Sequence, residues 1–323
     1  MHDDGRGRDL SARLTVFGAG AVLIGCGLVA LALLHLALPR ITRGLDAGGT
    51  AVDPATAWMG AALYSLLGLA LVGSGVGSIR KRRWVRPIML FISGTWLMVG
   101  SFVTGLVVLV ADDLVALAAG DLIVSTPELV GPVRALMIGL SAGFGLVLPA
   151  LFFWAYRDRD VETTCARHSP GAGWSDRCPP AVLALSAALA GAGLIGLPSV
   201  FRPVFPLFGR VATGWPAVVG LLMVSAWCLW LGWSTFRLER EGWWGTLVFF
   251  TVLGWSTVVT ALAVDPLEFY LLLGYDEEQL ELLRPSAGAA RWLMVGSSVA
   301  LTVLGVVYLL GVRRHFSGRR RTG

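Results

Sequence analysis

Three side chains that can bind metal or undergo thiol chemistry lie close together in one polar stretch of an apolar chain. Cys165, His168 and Cys178 have the spacing C-x2-H-x9-C, with Asp176 two residues before the second cysteine. Thiolates and imidazole suit zinc, but a closed structural zinc site has four ligands. The spacing predicts either a metal or thiol sensor facing the cytosol, or a polar loop that folds against the membrane face. A reducing cytosol disfavours a permanent disulfide between the two cysteines.

Two arginines, Arg134 and Arg291, occupy equivalent places in two similar stretches. GPVRALMIGLS begins at Gly131 and GAARWLMVGSS begins at Gly288, and they share six identical residues at an offset of 157. Two guanidinium groups that face one vestibule can hold a phosphate or a carboxylate, because each presents a planar fork of donors. In the alternative interpretation, each arginine reaches lipid headgroups or an acidic outer loop. The two arginines are therefore a candidate ligand-binding site.

No catalytic constellation is visible in the sequence. There is no G-x-S-x-G, H-E-x-x-H or G-x-x-x-x-G-K motif, and no paired carboxylates occur within the apolar runs. His35 is the one ionisable candidate inside those runs, and a lone histidine is usually a packing residue. Coupled carriers normally place Asp, Glu or Lys at mid-depth in the membrane. We therefore expect a protein that is not an enzyme, uses no cofactor and is not a classical ion-coupled carrier.

The elements that must position these residues are long apolar helices. The 323 residues are 55% hydrophobic and 15% charged, whereas an ordinary soluble domain has about 25% charged residues. A helix needs about 20 apolar residues to cross a bilayer core, and barrel strands need only about 9 to 11. Eight runs are long enough for helices: 14–38, 56–79, 87–111, 134–156, 180–198, 215–236, 243–264 and 291–312. The predicted fold class is all-α, a polytopic transmembrane helix bundle of about eight spans.

The distribution of basic residues predicts the orientation of this bundle. Of the 26 lysines and arginines, 19 fall on the side of the amino terminus, which leaves seven opposite: Arg40, Arg43, Arg134, Arg202, Arg210, Arg284 and Arg291. Basic residues concentrate on the cytoplasmic side of membrane proteins. Both termini are therefore predicted to be cytoplasmic, in the cell (cytoplasmic) membrane. The first apolar run is too long for a signal peptide, and no nucleic-acid-binding module accompanies the net charge of +5.

Further landmarks recur at the same offset and predict an internal repeat. The pairs at this offset are Gly75 with Gly232, Ser78 with Thr235, Arg80 with Arg237, Arg83 with Arg240 and Arg157 with Arg314. After a slip of two residues, Trp84 pairs with Trp243 and Trp96 with Trp255. Four spans per half give both halves the same orientation, with a pseudo-twofold axis along the membrane normal. The predicted organisation is a cytoplasmic tail (1–13), a four-helix repeat (14–157), a cytoplasmic inter-repeat loop (158–179), a second four-helix repeat (180–314) and a basic tail (315–323).

Several local features are also predicted. The acidic outer segments 112–128 and 265–281 should each carry a short surface helix, with caps at Thr126 and Asp276. Pro149 should kink the fourth span. Small residues permit close helix approach in membranes, which is the expected role of Gly18, Gly20, Gly25, Gly27, Gly139, Gly143 and Gly296.

These features favour a non-catalytic integral membrane protein, an accessory or scaffolding component whose cytoplasmic loop binds a protein partner. The alternative is a permease or lipid-handling protein with a path between the two repeats, lined by Arg134 and Arg291. The third hypothesis is the metal or thiol sensor at Cys165, His168 and Cys178. Membrane lipid and a protein are the expected partners, and nucleic acid is not.

Overall fold

Eight helices in the described part of the chain are long and apolar enough to cross a membrane, as the sequence predicts. The computed structural model describes residues 9–44, 54–109, 111, 115, 130–169, 178–275, 277, 280–281, 284 and 287–316. The spans are α1 (Ser11–Gly44), α2 (Pro54–Ile79), α3 (Val85–Leu109), α4 with α5 (Val130–Ala142 and Leu148–Arg157), α7 (Pro180–Gly196), α8 (Gly214–Phe236), α9 (Arg240–Ala263) and α11 (Ala287–Val312). They fit a multi-pass membrane protein.

The spans pack in sequential pairs. Helix α1 packs along α2, α3 along α4 and α5, α7 along α8, and α9 along α11. The first and second halves of the chain meet where α3 contacts α7 and α11, and where α2 contacts α7 and the short helical turn Leu197–Phe201 that follows it. Side-chain bonds join α11 to two other spans of the second half: Trp243 Nε1 donates to the carbonyl oxygen of Leu309 at 2.8 Å, and Tyr308 Oη donates to that of Ala181 at 2.7 Å.

Glycines bring α1 and α2 into backbone contact. A Cβ atom on Gly25 would lie 2.7 Å from the carbonyl oxygen of Gly68, and one on Gly18 would lie 2.9 Å from that of Gly75. Both distances are too short for any side chain, so the crossing requires glycine. The expected close approach is confirmed at these two positions of α1.

The same expectation is wrong at four other glycines. Nothing lies within 4 Å of a Cβ atom placed on Gly27, Gly139, Gly143 or Gly296, and all four residues are exposed. They lie on sides of their helices that no neighbouring helix covers. At Gly20 a Cβ atom would meet only the Phe152 ring, at 3.9 Å.

Glycines also bring the backbones of α7 and α8 close together. A Cβ atom on Gly193 would lie 2.8 Å from the carbonyl oxygen of Ser225, and one on Gly232 would lie 3.0 Å from that of Ser186. Ser186 Oγ also donates to the carbonyl oxygen of Gly232 at 2.7 Å. In the sequence, Ser225 and Gly232 stand 157 residues after Gly68 and Gly75.

The turn after α2 ends the helix with a left-handed residue that is not glycine. Lys81 has a φ of +53°. Its N–H donates to the carbonyl oxygen of Ser78 at 2.9 Å, and the N–H of Arg82 donates to that of Gly77 at 2.9 Å. This pair of bonds is a Schellman motif, which satisfies carbonyl groups that the helix end would otherwise leave open.

The turn after α8 repeats this geometry 157 residues later. Leu238 has a φ of +60°. Its N–H donates to the carbonyl oxygen of Thr235 at 2.9 Å, and the N–H of Glu239 donates to that of Ser234 at 3.1 Å. Both turns therefore hold a bulky residue in a conformation that glycine adopts more readily.

Elements that the sequence did not predict lie between the spans. Helix α6 (Arg159–His168) occupies part of the segment 158–179, which was expected to be a loop. The chain also contains a β-hairpin, formed by β1 (Val204–Leu207) and β2 (Arg210–Thr213), which the all-α prediction did not include. The hairpin is fixed to α9 because the N–H groups of Phe208 and Gly209 donate to the hydroxyls of Ser256 and Thr260, at 3.1 and 3.0 Å.

Two other predictions can be compared with the structure only in part. Segment 265–281 contains a short helix, α10 (Pro266–Leu272), but α10 precedes the expected run after Asp276, and its cap is Asp265, which accepts the N–H of Leu267 at 3.0 Å. Thr126 and Asp276, the expected caps, lie outside the described residues. A π-helical turn, Gly143–Val147, precedes Pro149, whose ring excludes an ordinary helical bond to the residue four positions earlier.

The glycine contact in α1 predicts a difference between two neighbouring substitutions. Gly25→Ala should lower the stability of the folded protein by about 1 to 3 kcal/mol, because the new Cβ overlaps the α2 backbone. Gly27→Ala, two residues along the same helix, adds a methyl group to an open side and should leave stability unchanged. Thermal unfolding of both variants in one detergent would measure this, and equal midpoints would contradict the crossing.

Candidate functional site: a cavity between α3, α6 and α7

Helix α6 is held against the first half of the bundle by polar contacts at its beginning and near its middle. Asp158 caps α6 by accepting the N–H of Asp160 at 3.1 Å, and its other oxygen lies 3.4 Å from the Arg13 guanidinium. Farther along α6, Thr164 Oγ1 accepts the N–H of Leu10 at 3.1 Å. The start of α1 therefore fixes α6 at two places.

One side of α6 is buried and the other is exposed. Val161, Thr164 and Cys165 are at most 2% exposed. Glu162 lies on the exposed side, where its carboxylate accepts from Arg86 at 2.6 Å. Arg86 also donates from Nε to the carbonyl oxygen of Tyr156 at 3.3 Å, at the end of α5. Arg86 thus connects α3 to α5 and α6.

A buried hydrogen-bonded pair lies beneath these contacts. Ser78 and Tyr156 are fully buried, and their hydroxyl oxygens are 2.6 Å apart. Ser78 Oγ donates to the carbonyl oxygen of Leu14 at 3.0 Å, so the Tyr156 hydroxyl donates to Ser78. This chain of bonds joins α1, α2 and α5 directly below α6.

A cavity of about 520 Å³ opens between the beginnings of α3 and α7 and the inner side of α6. Its lining combines charged, aromatic and apolar groups: Arg83, Trp84, Arg86, Pro87, Glu162, Cys165, Ala166, Cys178, Pro179, Pro180, Leu183 and Leu238. The volume lies within the range of about 300 to 1,000 Å³ found for small-molecule sites. Residues from both halves of the chain form its walls.

The lining carries more positive than negative charge. Arg83 and Arg86 are the cations, and Glu162, bound to Arg86, is the one carboxylate among the lining residues. Burial raises the pKa of Cys165 to about 11, against the opposite effect of the nearby Arg86 and Arg83. Burial also raises the pKa of Cys178 to about 11. Both thiols are therefore neutral at physiological pH.

The structure brings together two of the three side chains of the predicted metal site. Cys165 and Cys178 line the same cavity, but His168 is exposed and its Nδ1 lies 3.0 Å from the carbonyl oxygen of Thr164. Asp176 lies outside the described residues. Among the residues that the structure describes, no group of three or more histidine, cysteine or acidic side chains could hold a metal ion. The sensor hypothesis stays a prediction, without a third ligand in place.

Arg134 and Arg291 have different surroundings. Arg134 is exposed on α4. Arg291 lines a cavity of about 90 Å³, which is bounded by Pro206, Thr257, Thr260, Ala261, Val264, Pro266, Phe269 and Met294 and does not include Arg134. Its Nε is buried and has no hydrogen-bond partner in the described part of the chain. A vestibule shared by the two arginines stays a prediction.

Sequence reasoning missed the residues that shape the larger cavity. It treated the run RKRRWVRP, 80–87, as a signal of orientation and as a landmark of the repeat, although Arg83, Trp84 and Arg86 line the cavity. The predicted start of the fifth span at residue 180 is confirmed, since α7 begins at Pro180. The position of Pro179 and Pro180 at the cavity wall was not predicted.

Comparison of the chain with models of protein families, with curated proteins and with solved structures found no match. The class of the protein therefore follows from its own fold and site. It is a helical bundle of the multi-pass membrane type, with a cavity of mixed charged and apolar lining where α3 and α7 begin.

The raised thiol pKa values predict slow alkylation at the cavity. At pH 7.5, Cys165 and Cys178 should react with iodoacetamide at least about tenfold more slowly than a cysteine placed at the exposed position Thr163, because thiolate is the nucleophile. Peptide mass spectrometry of the Thr163→Cys variant measures all three rates in one sample. Equal rates would show that the two native thiols are not buried.

Proposed function

We propose that the protein is a non-catalytic accessory or scaffolding component of the cytoplasmic membrane, and that α6 presents its binding surface for a partner protein. The absence of Asp, Glu and Lys from the middle of the apolar runs supports a role without ion coupling or catalysis. The position of α6 supports a binding role, because a short polar helix is held on the spans while one side stays exposed.

The observation that carries this proposal is the division of α6 into an anchored side and an exposed side. The α6 surface comprises Arg159, Glu162, Thr163, Arg167 and His168, all exposed. Glu162 is bound to Arg86, so the surface is basic on balance. A basic surface attracts an acidic partner and suppresses binding of basic ones. The partner segment that this surface fits is therefore acidic.

We also propose that both termini are cytoplasmic and that the chain consists of two repeats. The excess of basic residues near the ends of α2, α5, α8 and α11 supports the orientation. Two structural features support the repeat: Lys81 and Leu238 adopt the same left-handed turn, and the α1–α2 and α7–α8 crossings use residues at matching places in α2 and α8.

The proposed orientation predicts which positions a membrane-impermeant maleimide can reach in intact cells. In a chain whose native cysteines are replaced, Arg210→Cys in the exposed end of the hairpin should be labelled without permeabilisation. Thr163→Cys on α6 should be labelled only after permeabilisation. The opposite pattern would reverse the topology, and labelling of both positions in intact cells would contradict a bundle with α6 and the hairpin on opposite sides.

The proposed binding surface predicts a selective loss of partner. The double variant Arg159→Glu/Arg167→Glu reverses two exposed charges on α6 and should reduce partner recovery at least about tenfold. The control Arg237→Glu/Arg240→Glu makes the same charge change on exposed residues of the other turn and should retain the partner. Purification in mild detergent with quantitative mass spectrometry measures the ratio of partner to bait. Isolation of the wild-type protein without a stoichiometric partner, or equal recovery by both variants, would contradict the proposal.

A further inference from the structure

The cavity that Arg291 lines has a volume of about 90 Å³ and lies where two spans of the second half end. Thr257 and Thr260 line it from the last two turns of α9, and Arg291 and Met294 line it from the beginning of α11. Helix α10 and the hairpin complete its walls. The larger cavity lies at the other end of α9, where Leu238 lines it. The two cavities are therefore separate.

Arg291 is a partly buried cation for which the described chain supplies no counter-charge. Its Nε is buried and has no hydrogen-bond partner among the described residues, and the side chain makes no ion pair with any of them. No carboxylate is among the described lining residues, and Asp265 beside the cavity accepts the N–H of Leu267 as the cap of α10. Because a desolvated cation costs free energy unless an anion accompanies it, the cavity favours a ligand with one negative charge.

The two hydroxyl groups in the wall are already engaged within the chain. Thr257 Oγ1 donates to the carbonyl oxygen of Leu253 at 2.9 Å. Thr260 Oγ1 donates to the carbonyl oxygen of Ser256 at 2.8 Å and accepts the N–H of Gly209 at 3.0 Å. Apart from Arg291 and these threonines, the described lining residues are apolar. The part of a ligand next to its charged group must therefore be apolar as well.

The volume of the cavity distinguishes between anionic groups. A water molecule occupies about 30 Å³ of liquid, so the cavity admits about three or four non-hydrogen atoms. A carboxylate with its first methylene group is of this size, whereas a phosphodiester with its ester carbons is larger. Guanidinium binds carboxylate with two parallel hydrogen bonds. Because Nε of Arg291 is buried, its two terminal nitrogens are the donors that a ligand can reach.

We propose that this cavity binds the carboxylate of an aliphatic acid, with the terminal nitrogens of Arg291 on the carboxylate and with Phe269 and Met294 along the first carbon atoms. The position of the cavity at the ends of two spans suits a long-chain fatty acid, whose carboxylate lies at the bilayer surface. A short, water-soluble acid has the same binding group. No residue of α6 lines this cavity, so the site is independent of the proposed partner surface.

Native mass spectrometry of the full-length protein tests the carboxylate site. The protein, purified in a non-ionic detergent, is incubated with oleate or with methyl oleate, which has the same chain without the charge, and bound ligand is counted. Oleate should be retained in preference, and Arg291→Gln should lower its retention at least about tenfold. The matched control is Arg284→Gln, which removes an exposed arginine that pairs with Glu281 at 2.9 Å outside the lining and should retain oleate.

Two further arms test the size of the site and the source of the acid. Ala261→Leu fills the cavity without changing charge and should also lower retention, which tests the site even if Arg291→Gln fails to fold. Butyrate at millimolar concentration should not displace oleate, and displacement would assign the same site to a water-soluble acid. Equal retention of oleate and methyl oleate, or equal retention of oleate by the wild type and a folded Arg291→Gln or Ala261→Leu variant, would overturn the proposal.

Discussion

The hydrogen bond between Ser78 and Tyr156 is the contact on which the polar end of the first half depends. Within a membrane protein, a buried hydroxyl must find its partner inside the protein, since lipid offers none. Tyr156 satisfies its hydroxyl on Ser78, which in turn satisfies its own on the carbonyl oxygen of Leu14. Arg86 then binds the Tyr156 carbonyl oxygen and Glu162. The position of α6 follows from this sequence of bonds.

The second half has the same turn without the same contact. Thr235 lies 157 residues after Ser78, and its buried hydroxyl has no partner in the described part of the chain. Arg313 lies 157 residues after Tyr156, over the Trp243 ring and 5.5 Å from its centre. The contact that joins α1, α2 and α5 therefore has no counterpart among the described residues of the second half.

The sequence was sufficient for the spans, because run length and apolarity decide where a chain can cross a membrane. The sequence did not suffice where the outcome depends on which side of a helix a residue faces. Gly25 and Gly27 are identical in sequence terms, yet one faces α2 and the other faces outward. The left-handed turns at Lys81 and Leu238 lack the glycine that usually marks them. Helix α6 was mistaken for a loop because its buried face, Val161, Thr164 and Cys165, is short and only weakly apolar.

Hydrogen exchange of the α6 amides tests most directly whether the spans fix this helix in place. The described contacts predict that the amides of 162–168 in the wild-type protein exchange slowly, and that Tyr156→Phe accelerates them by removing one hydroxyl beneath the helix. Amides within α3 should change little in the same variant. Exchange of the wild-type α6 amides at the rate of an unstructured peptide would contradict the account, because the surface and the cavity wall both require a helix held on the bundle.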